Sequence, residues 1–281
     1  MKAEKGFLQW FADQKVGKKI MYTFMITSVI PLLVSQILML YVISNNMREK
    51  VDELMVNQLA QISERTGLTI DVYTNLVYQI YSDDEIIECI ASCRNASSEI
   101  RARAYREICG KLQQYGLSTS GIECISIVLE DGWDITYDFG LASAVDNLWE
   151  GYTDKKSIVP YRLAQEGSAN IVVSPTERVF RGGGEERIFH ISMQMYDFAD
   201  IQRGTVGTVI MSINESVLNA VCSTAQEEGE LYTVNFITDT QGNILTYPES
   251  FYSGIRLSEG RSVKEFVERT GVLEGKNIAV N

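Results

Sequence analysis

One histidine, His190, and five cysteines, Cys89, Cys93, Cys109, Cys124 and Cys222, bound the chemistry open to this chain. A serine–histidine–acid site could rest only on His190, and metal sites built from several histidines are excluded. No G-x-S-x-G sequence, no C-x-x-C pair and no Cys/His cluster occurs, so a nucleophile elbow and a zinc site lack support. No cofactor is expected, and no catalytic or metal-ligating residue is assigned. The odd cysteine count, without dense spacing, is not a disulfide framework. Cys89 and Cys93, at i and i+4 of a helical stretch, are expected as free, partly buried thiols. His190 sits in the alternating stretch R-I-F-H-I-S-M-Q-M, where it either lines a pocket or belongs to the core. Residues 133–175 interleave Trp133, Tyr137, Trp149, Tyr152 and Tyr161 with Asp134, Asp138 and Asp146. Aromatic walls with a few polar groups suit a small organic ligand such as a sugar; the competing reading is ordinary core. The candidate ligand-binding residues are Trp133, Tyr137, Trp149, Tyr161, Arg162, His190 and Asp197.

The elements that must carry these residues begin with an uneven distribution of charge. The chain has 281 residues, 45% apolar, and a net charge of −12. That acidity argues against nucleic acid as a partner, because phosphate neutralisation needs clustered cations. From Ile20 to Ile43, 24 consecutive residues carry no Asp, Glu, Lys or Arg. At about 1.5 Å per residue this stretch spans the roughly 30 Å hydrocarbon core. Pro31 lies mid-span, and Tyr22 and Tyr41 flank it at headgroup level. No small-residue cleavage pattern follows, so an uncleaved anchor is expected rather than a signal peptide. Residues 1–19 hold five lysines and two acids; removing them from totals of 25 basic and 37 acidic residues leaves 20 and 35. The positive-inside rule then keeps residues 1–19 in the cytoplasm and places everything from Ser44 onward outside the cell membrane. Phe7, Leu8, Trp10 and Phe11 form either a short amphipathic piece on the inner leaflet or a loose tail.

Beyond the span, Val51, Met55, Gln58, Ile62, Thr66, Thr69, Tyr73, Leu76 and Ile80 recur at helical spacing, interrupted by Gly67. This stripe reads as a stalk over 44–117, packed on its own domain or paired in a homodimer. Ser82 or Asp83 caps a helix over Glu85–Ser92, and Ser97 or Ser98 caps another that Gly116 closes. From Gly121 the period changes to strand, with Asp131-Gly132 as a two-residue hairpin turn and Trp133–Tyr137 as its return. A short helix around Tyr161–Gln165 precedes a strand at Ile171–Ser174. A loop follows through Pro175 and Gly182-Gly183-Gly184, then long strands over Arg187–Tyr196 and Thr205–Ile213. Asn214 caps an exit helix to Cys222, with Glu215 in its first turn. Tyr232–Thr238 and Asn243–Tyr247 read as a second hairpin about an Asp239–Gly242 turn, followed by a helix from Ser262 and a strand from Lys276 to Val280. The fold class expected is α+β: a transmembrane helix continuing into a stalk, a PAS-like antiparallel sheet module over 118–225, and the start of a second over 226–281.

Several segments carry a family resemblance. These are G-K-K-I-M-Y-T-F-M-I-T-S-V-I-P-L-L at the span, P-Y-R-L-A-Q-E-G-S-A-N-I-V-V-S-P (Pro160 to Pro175), G-T-V-G-T-V-I-M-S-I-N-E-S-V-L (Gly204 to Leu218) and F-I-T-D-T-Q-G-N-I-L (Phe236 to Leu245). Together they resemble the extracytoplasmic double Cache sensor of a YesM-like histidine kinase from a Gram-positive bacterium. The resemblance implies a ligand-binding receptor of a two-component system, ending here before its kinase module, so that no phosphotransfer by this polypeptide is expected. Cache modules that bind amino acids carry an Arg two residues before a Trp-Tyr pair; here those positions hold Ile158 and Pro160-Tyr161, which departs from amino-acid recognition by that motif. Other readings are the sensor of a chemotaxis receptor or membrane-bound transcriptional regulator, an anchored extracellular hydrolase, and an adhesive surface protein. The last two lack their catalytic and repeat signatures.

Overall fold

The computed structural model describes residues 15–93, 96–140, 148–149, 152, 154–167, 170–181, 184–197, 204–223, 237–238 and 244–246. The chain forms two compact units, Met1–Ala60 and Gln61–Asn281. The first is helical: α1 (Val16–Phe24), a π-helical turn (Met25–Val29) and the opening of α2 (Ile30–Tyr81). Pro31 explains the wide turn. It has no N–H for the Thr27 carbonyl and its ring crowds that oxygen, so the preceding turn opens and Ile30 N–H reaches back to the Met25 carbonyl. Thr23 and Thr27 donate their hydroxyls to the carbonyls of Lys19 and Thr23 at 2.9 and 2.7 Å. Large apolar side chains here, such as Phe24, Leu33 and Leu40, are at least half exposed, and the helix is long and apolar enough to cross a membrane.

The second unit is an antiparallel sheet with three longer helical segments packed on one face. The helices are the C-terminal part of α2, α3 (Asp84–Ser92) and α4 (Ser98–Leu117). The strands are β1 (Ile122–Leu129), β2 (Asp134–Asp138), β3 (Val172–Val173), β4 (Glu177–Arg181), β5 (Gly184–Tyr196) and β6 (Thr205–Asn214). A short helix α5 (Val159–Glu166) precedes β3, α6 (Ser216–Ser223) follows β6, and β7 (Ile237–Thr238) pairs with β8 (Ile244–Thr246). Sheet order is β2-β1-β6-β5-β3, with β4 also on β5. Period-two alternation sends Ile125, Ile127, Ile135, Phe189, Ile191, Met193, Val209, Met211 and Ile213 to one face. There they bury against Leu76, Val77, Ile80, Ile86, Ile90, Ile108 and Leu112 of the helices.

The expected stripe on α2 is buried at Ile62, Thr66, Tyr73, Leu76 and Ile80, and Gly67 does not break the helix. Asp83, not Ser82, caps α3, accepting the N–H groups of Glu85 and Ile86 at 3.0 and 3.2 Å. Ser97 holds the N-cap position of α4 without a side-chain bond. Several expectations need correction. Gly116 does not close α4; it lies inside the helix because an added Cβ would fall 1.9 Å from Phe139 Cζ. The β1–β2 turn is longer than two residues. Leu129 N–H bonds the Trp133 carbonyl, Asp131 Oδ1 accepts Trp133 N–H, and Gly132 takes φ 86°, so the return strand starts at Asp134. The stretch expected as a loop before Gly184 is in part strand β4, whose Val179 pairs with Glu186 of β5. Asn214 ends β6 and its Oδ1 accepts Ser216 N–H, and α6 begins at Ser216, one residue later than expected. All five cysteines are free, with Cys93, Cys124 and Cys222 buried. The amphipathic piece at residues 7–11, the 239–242 turn, the helix from residue 262 and the strand at 276–280 lie outside the described residues.

Asp83 also ties α3 to α4. Lys111 Nζ donates to both carboxylate oxygens at 2.9 Å and Tyr115 Oη to Oδ2 at 2.8 Å. Burial opposes ionisation of Asp83, but the bonds from Lys111, Tyr115 and Ile86 outweigh it and hold the carboxyl below its usual range. The stabilisation is therefore full above the ordinary carboxylate pKa and is lost as pH falls through the lowered folded value. Asp83→Ala is expected to cost about 1–2 kcal/mol at neutral pH. Thermal melts should separate wild type and variant at pH 7 and bring them together in strong acid. An equal gap at both would contradict the ionic role.

Candidate functional site

The opposite face of the sheet is buried and yet polar. Register places Cys124, Ser126 and Val128 of β1 beside Ser212, Ile210 and Thr208 of β6, and these beside His190, Ser192 and Gln194 of β5. On the other side, Asp138, Thr136 and Asp134 of β2 align with Cys124, Ser126 and Val128. Ser126, Ser192, Thr208 and Ser212 are fully buried and His190 is 1% exposed. The hydroxyls come to this face because Ser and Thr alternate with Ile, Met and Val along β1, β5 and β6, and the pleat sends alternate residues to opposite faces.

A second layer covers this row. α5 has Pro160 in its first turn and buries Ala164, and its Tyr161 packs inward with Leu148, Trp149 and Ile158 over Cys124, Val128, Ile188 and Ile210. Ser192 Oγ donates to the Pro160 carbonyl at 2.9 Å, and Gln194 Nε2 donates to Gln165 Oε1 at 2.7 Å. Gln165 Nε2 in turn donates to Thr208 Oγ1 at 3.2 Å. Trp149 is held by its backbone. Asp138 accepts the N–H groups of Gly140 and Leu148 at 2.9 and 3.1 Å, and Lys155 Nζ donates to the Trp149 carbonyl. The indole lies over the His190 ring, centroids 5.0 Å apart. Burial pushes the Tyr161 hydroxyl up, helped by the negative charges of Glu130 and Asp154.

His190 is bonded at both ring nitrogens, Nε2 to Glu177 Oε1 at 2.8 Å and Nδ1 to Ser212 Oγ at 2.9 Å. A carboxylate only accepts, so with neutral imidazole the partners put the proton on Nε2 and leave Nδ1 to accept the serine hydroxyl. The order serine–histidine–acid is that of a hydrolase triad, but its surroundings are not. Ser212 sits mid-strand between β1 and β5, where the N–H groups of β6 are spent in two ladders, so none is left to hold an oxyanion. It is also covered, at 0% exposure. The contacts that the cluster shows are hydrogen bonds.

The seven sequence candidates divide between the faces. Trp149, Tyr161 and His190 meet on the polar face. Trp133 and Tyr137 pack on the helix side, where Arg101 lies 5.2 Å over the Trp133 ring and Tyr137 meets Phe139 edge-on. Arg162 is exposed on α5, and Asp197 is buried just past the end of β5. Sequence reading missed Ser126, Thr136, Ser192, Gln194, Thr208, Ser212 and Glu177. The polar alternates within apolar strands were their signal. Among the described residues no cluster of His, Cys, Asp or Glu could hold a metal ion.

No protein-family model matches the sequence, and no curated protein matches it. Solved structures do. The ligand-binding domain of the Pseudomonas fluorescens chemoreceptor CtaA, in complex with L-leucine, aligns at TM-score 0.52 and 16% identity, over 80% of this chain and 79% of that one. The ligand-binding domain of the Campylobacter jejuni chemoreceptor Tlp3, in complex with L-norvaline, aligns at 0.49 and 14%, over 76% and 74%. That of the Pseudomonas aeruginosa amino acid chemoreceptor PctC, in complex with GABA, aligns at 0.46 and 15%, over 72% and 76%. If Ser212 is a hydrogen-bonding group and no nucleophile, incubation with a fluorophosphonate probe leaves the chain unlabelled. Labelling that disappears in Ser212→Ala would make it a hydrolase. The fold of this chain is the α+β, PAS-like fold of chemoreceptor ligand-binding domains.

Proposed function

We propose that the chain is the membrane-anchored, extracytoplasmic sensor region of a bacterial signal-transduction receptor. In this reading the N-terminus is cytoplasmic and a span at 20–43 leads to a helical stalk over 44–117. A ligand-binding module over 118–225 and the start of a second over 226–281 follow. The output is a YesM-like histidine kinase of a two-component system; a chemotaxis receptor or membrane-bound regulator is the alternative output on the same sensor. Homodimerisation runs through α2, where Leu54, Leu68 and Val72 are more than half exposed. The observation that carries the reading is the covered polar face. Burying a row of hydroxyls and amides costs stability unless each finds a partner, and a ligand is a reason to keep them.

The same row supports a ligand class. Among the described residues the side chains of the row are hydroxyls, an amide, the Cys124 thiol, the His190–Glu177 pair and two Asp carboxylates on β2, and the cation nearest to it in the covering layer, Lys155, is bonded to the Trp149 carbonyl. The CtaA domain aligned here is in complex with L-leucine. Such a zwitterion wants a cation for its carboxylate, whereas a neutral polyhydroxylated molecule, sugar-like, is served by hydroxyl, amide and indole groups. The readings part in a thermal-shift test on the full chain in nanodiscs. A neutral mono- or disaccharide should raise the melting temperature, with about 2.7 kcal/mol gained at a hundredfold excess over Kd. The gain should vanish when Ser126→Val and Thr136→Val are combined. Stabilisation by amino acids and by no sugar would overturn the ligand class.

The topology has its own test. A cysteine placed at Gly183, between β4 and β5, should react with an impermeant maleimide on intact cells beyond the level of the native thiols. Reaction only after lysis would reverse the orientation.

A further inference from the structure

The segment between β3 and β4 makes contacts in two directions. Ser174 N–H donates to the His190 carbonyl at 2.8 Å, and Ser174 Oγ accepts His190 N–H at 3.1 Å. Three residues on, Glu177 holds the His190 ring. Between them Thr176 turns the other way and donates its hydroxyl to the Leu245 carbonyl of β8. The β7–β8 hairpin is thus tied to the residues that grip His190. A second tie lies beside the first: Thr246 Oγ1 donates to Glu215, a carboxylate only 5% exposed at the β6–α6 junction. Glu215 N–H bonds the Arg187 carbonyl at 2.9 Å, and its carboxylate lies 4.0 Å from the Arg187 guanidinium, three residues before His190 on β5. Leu245 and Thr246 are buried in this seam.

We infer that the His190–Glu177 contact is a coupling element, through which the state of the covered polar face sets how firmly the β7–β8 hairpin docks on the sheet. Glu177 can hold its place in β4 only while its carboxylate has a donor to meet, because a carboxylate of which 19% is exposed loses much of its water. Displacing His190, by a ligand or by mutation, shifts Glu177 and with it the adjacent Thr176. Among the described residues the hairpin then keeps the Thr246–Glu215 bond and the apolar burial of Leu245, and loses the bond to Thr176. The inference rests on the reading of the polar face as a sensor site, but its test needs no ligand.

Amide hydrogen exchange on the unliganded full chain in nanodiscs reads the docking directly at residues 244–246. Glu177→Ala and His190→Asn break the same contact from its two sides, and each should speed exchange there by about tenfold. Amides of residues 125–128 and 208–212 should exchange as in wild type. Thr176→Val, which cuts the tie itself, should match them. The inference falls if Thr176→Val loosens the hairpin while neither of the other variants does. It falls equally if both speed exchange uniformly across the sheet. Neither result bears on whether a sugar binds, so failure here and failure of the ligand reading are told apart.

Discussion

The pairing register of β5 with β6 is the constraint on which the described sheet module depends. The two strands lie side by side from Ile188–Asn214 to Met195–Gly207, and because side chains alternate, that register sorts every residue to a face. Phe189, Ile191, Met193, Val209, Met211 and Ile213 go to the helices, and His190, Ser192, Gln194, Thr208 and Ser212 to the opposite side. A slip of one residue would bury the hydroxyls against Ile80 and Leu112 and take Phe189 out of its apolar packing into the polar layer under α5. Burying one Phe or Ile side chain is worth about 1.5–3 kcal/mol. A slip that reverses several of them is not accessible to a domain of ordinary stability.

The same register creates the cost on which the proposed function rests. Polar groups buried on the second face need partners, and the chain supplies them from elements far away in sequence. α5 brings the Pro160 carbonyl and Gln165 amide, β4 brings Glu177, and the β2 end brings Asp138 to hold the Trp149 segment. Each partner is a removable one, since it comes from a short helix, an edge strand or a loop. A face that is satisfied by removable groups can exchange them for those of a ligand at little net cost. The helix face offers no such exchange, since its contacts are apolar and interlocked with α2, α3 and α4.

Local chemistry made much of this legible in the sequence. The uncharged stretch from Ile20 to Ile43, the Asp83 cap and the strand pattern of β1, β5 and β6 each depend on neighbours within a few residues. Gly116 misled because two causes favour glycine near a helix end, a left-handed cap and a close approach, and only the position of Phe139 decides between them. β4 was hidden because its residues, Glu-Arg-Val-Phe-Arg, show no period-two alternation and stand beside a glycine run that reads as loop. Its pairing comes from β5, already in place. The candidate site was half legible. Aromatic content pointed to Trp149 and Tyr161, but the same rule drew in Trp133, in the β1–β2 turn, and Tyr137, on β2, which both pack on the helix side. The hydroxyl row went unread because polar alternates within apolar strands mark a second face, and only the elements packed on that face show that it is covered.

The chain has a single histidine, and it lies at the centre of the polar face. Full-length protein labelled with carbon-13 at histidine Cε1, freed of any affinity tag, should therefore give one imidazole NMR signal. Titration with whichever small molecule raises the melting temperature tests the central claim. The account predicts that the His190 signal shifts and saturates in step with that ligand, because Glu177, Ser212 and Trp149 around the ring must rearrange to admit it. A ligand that saturates while the His190 signal stays where it was would place binding elsewhere and contradict the account.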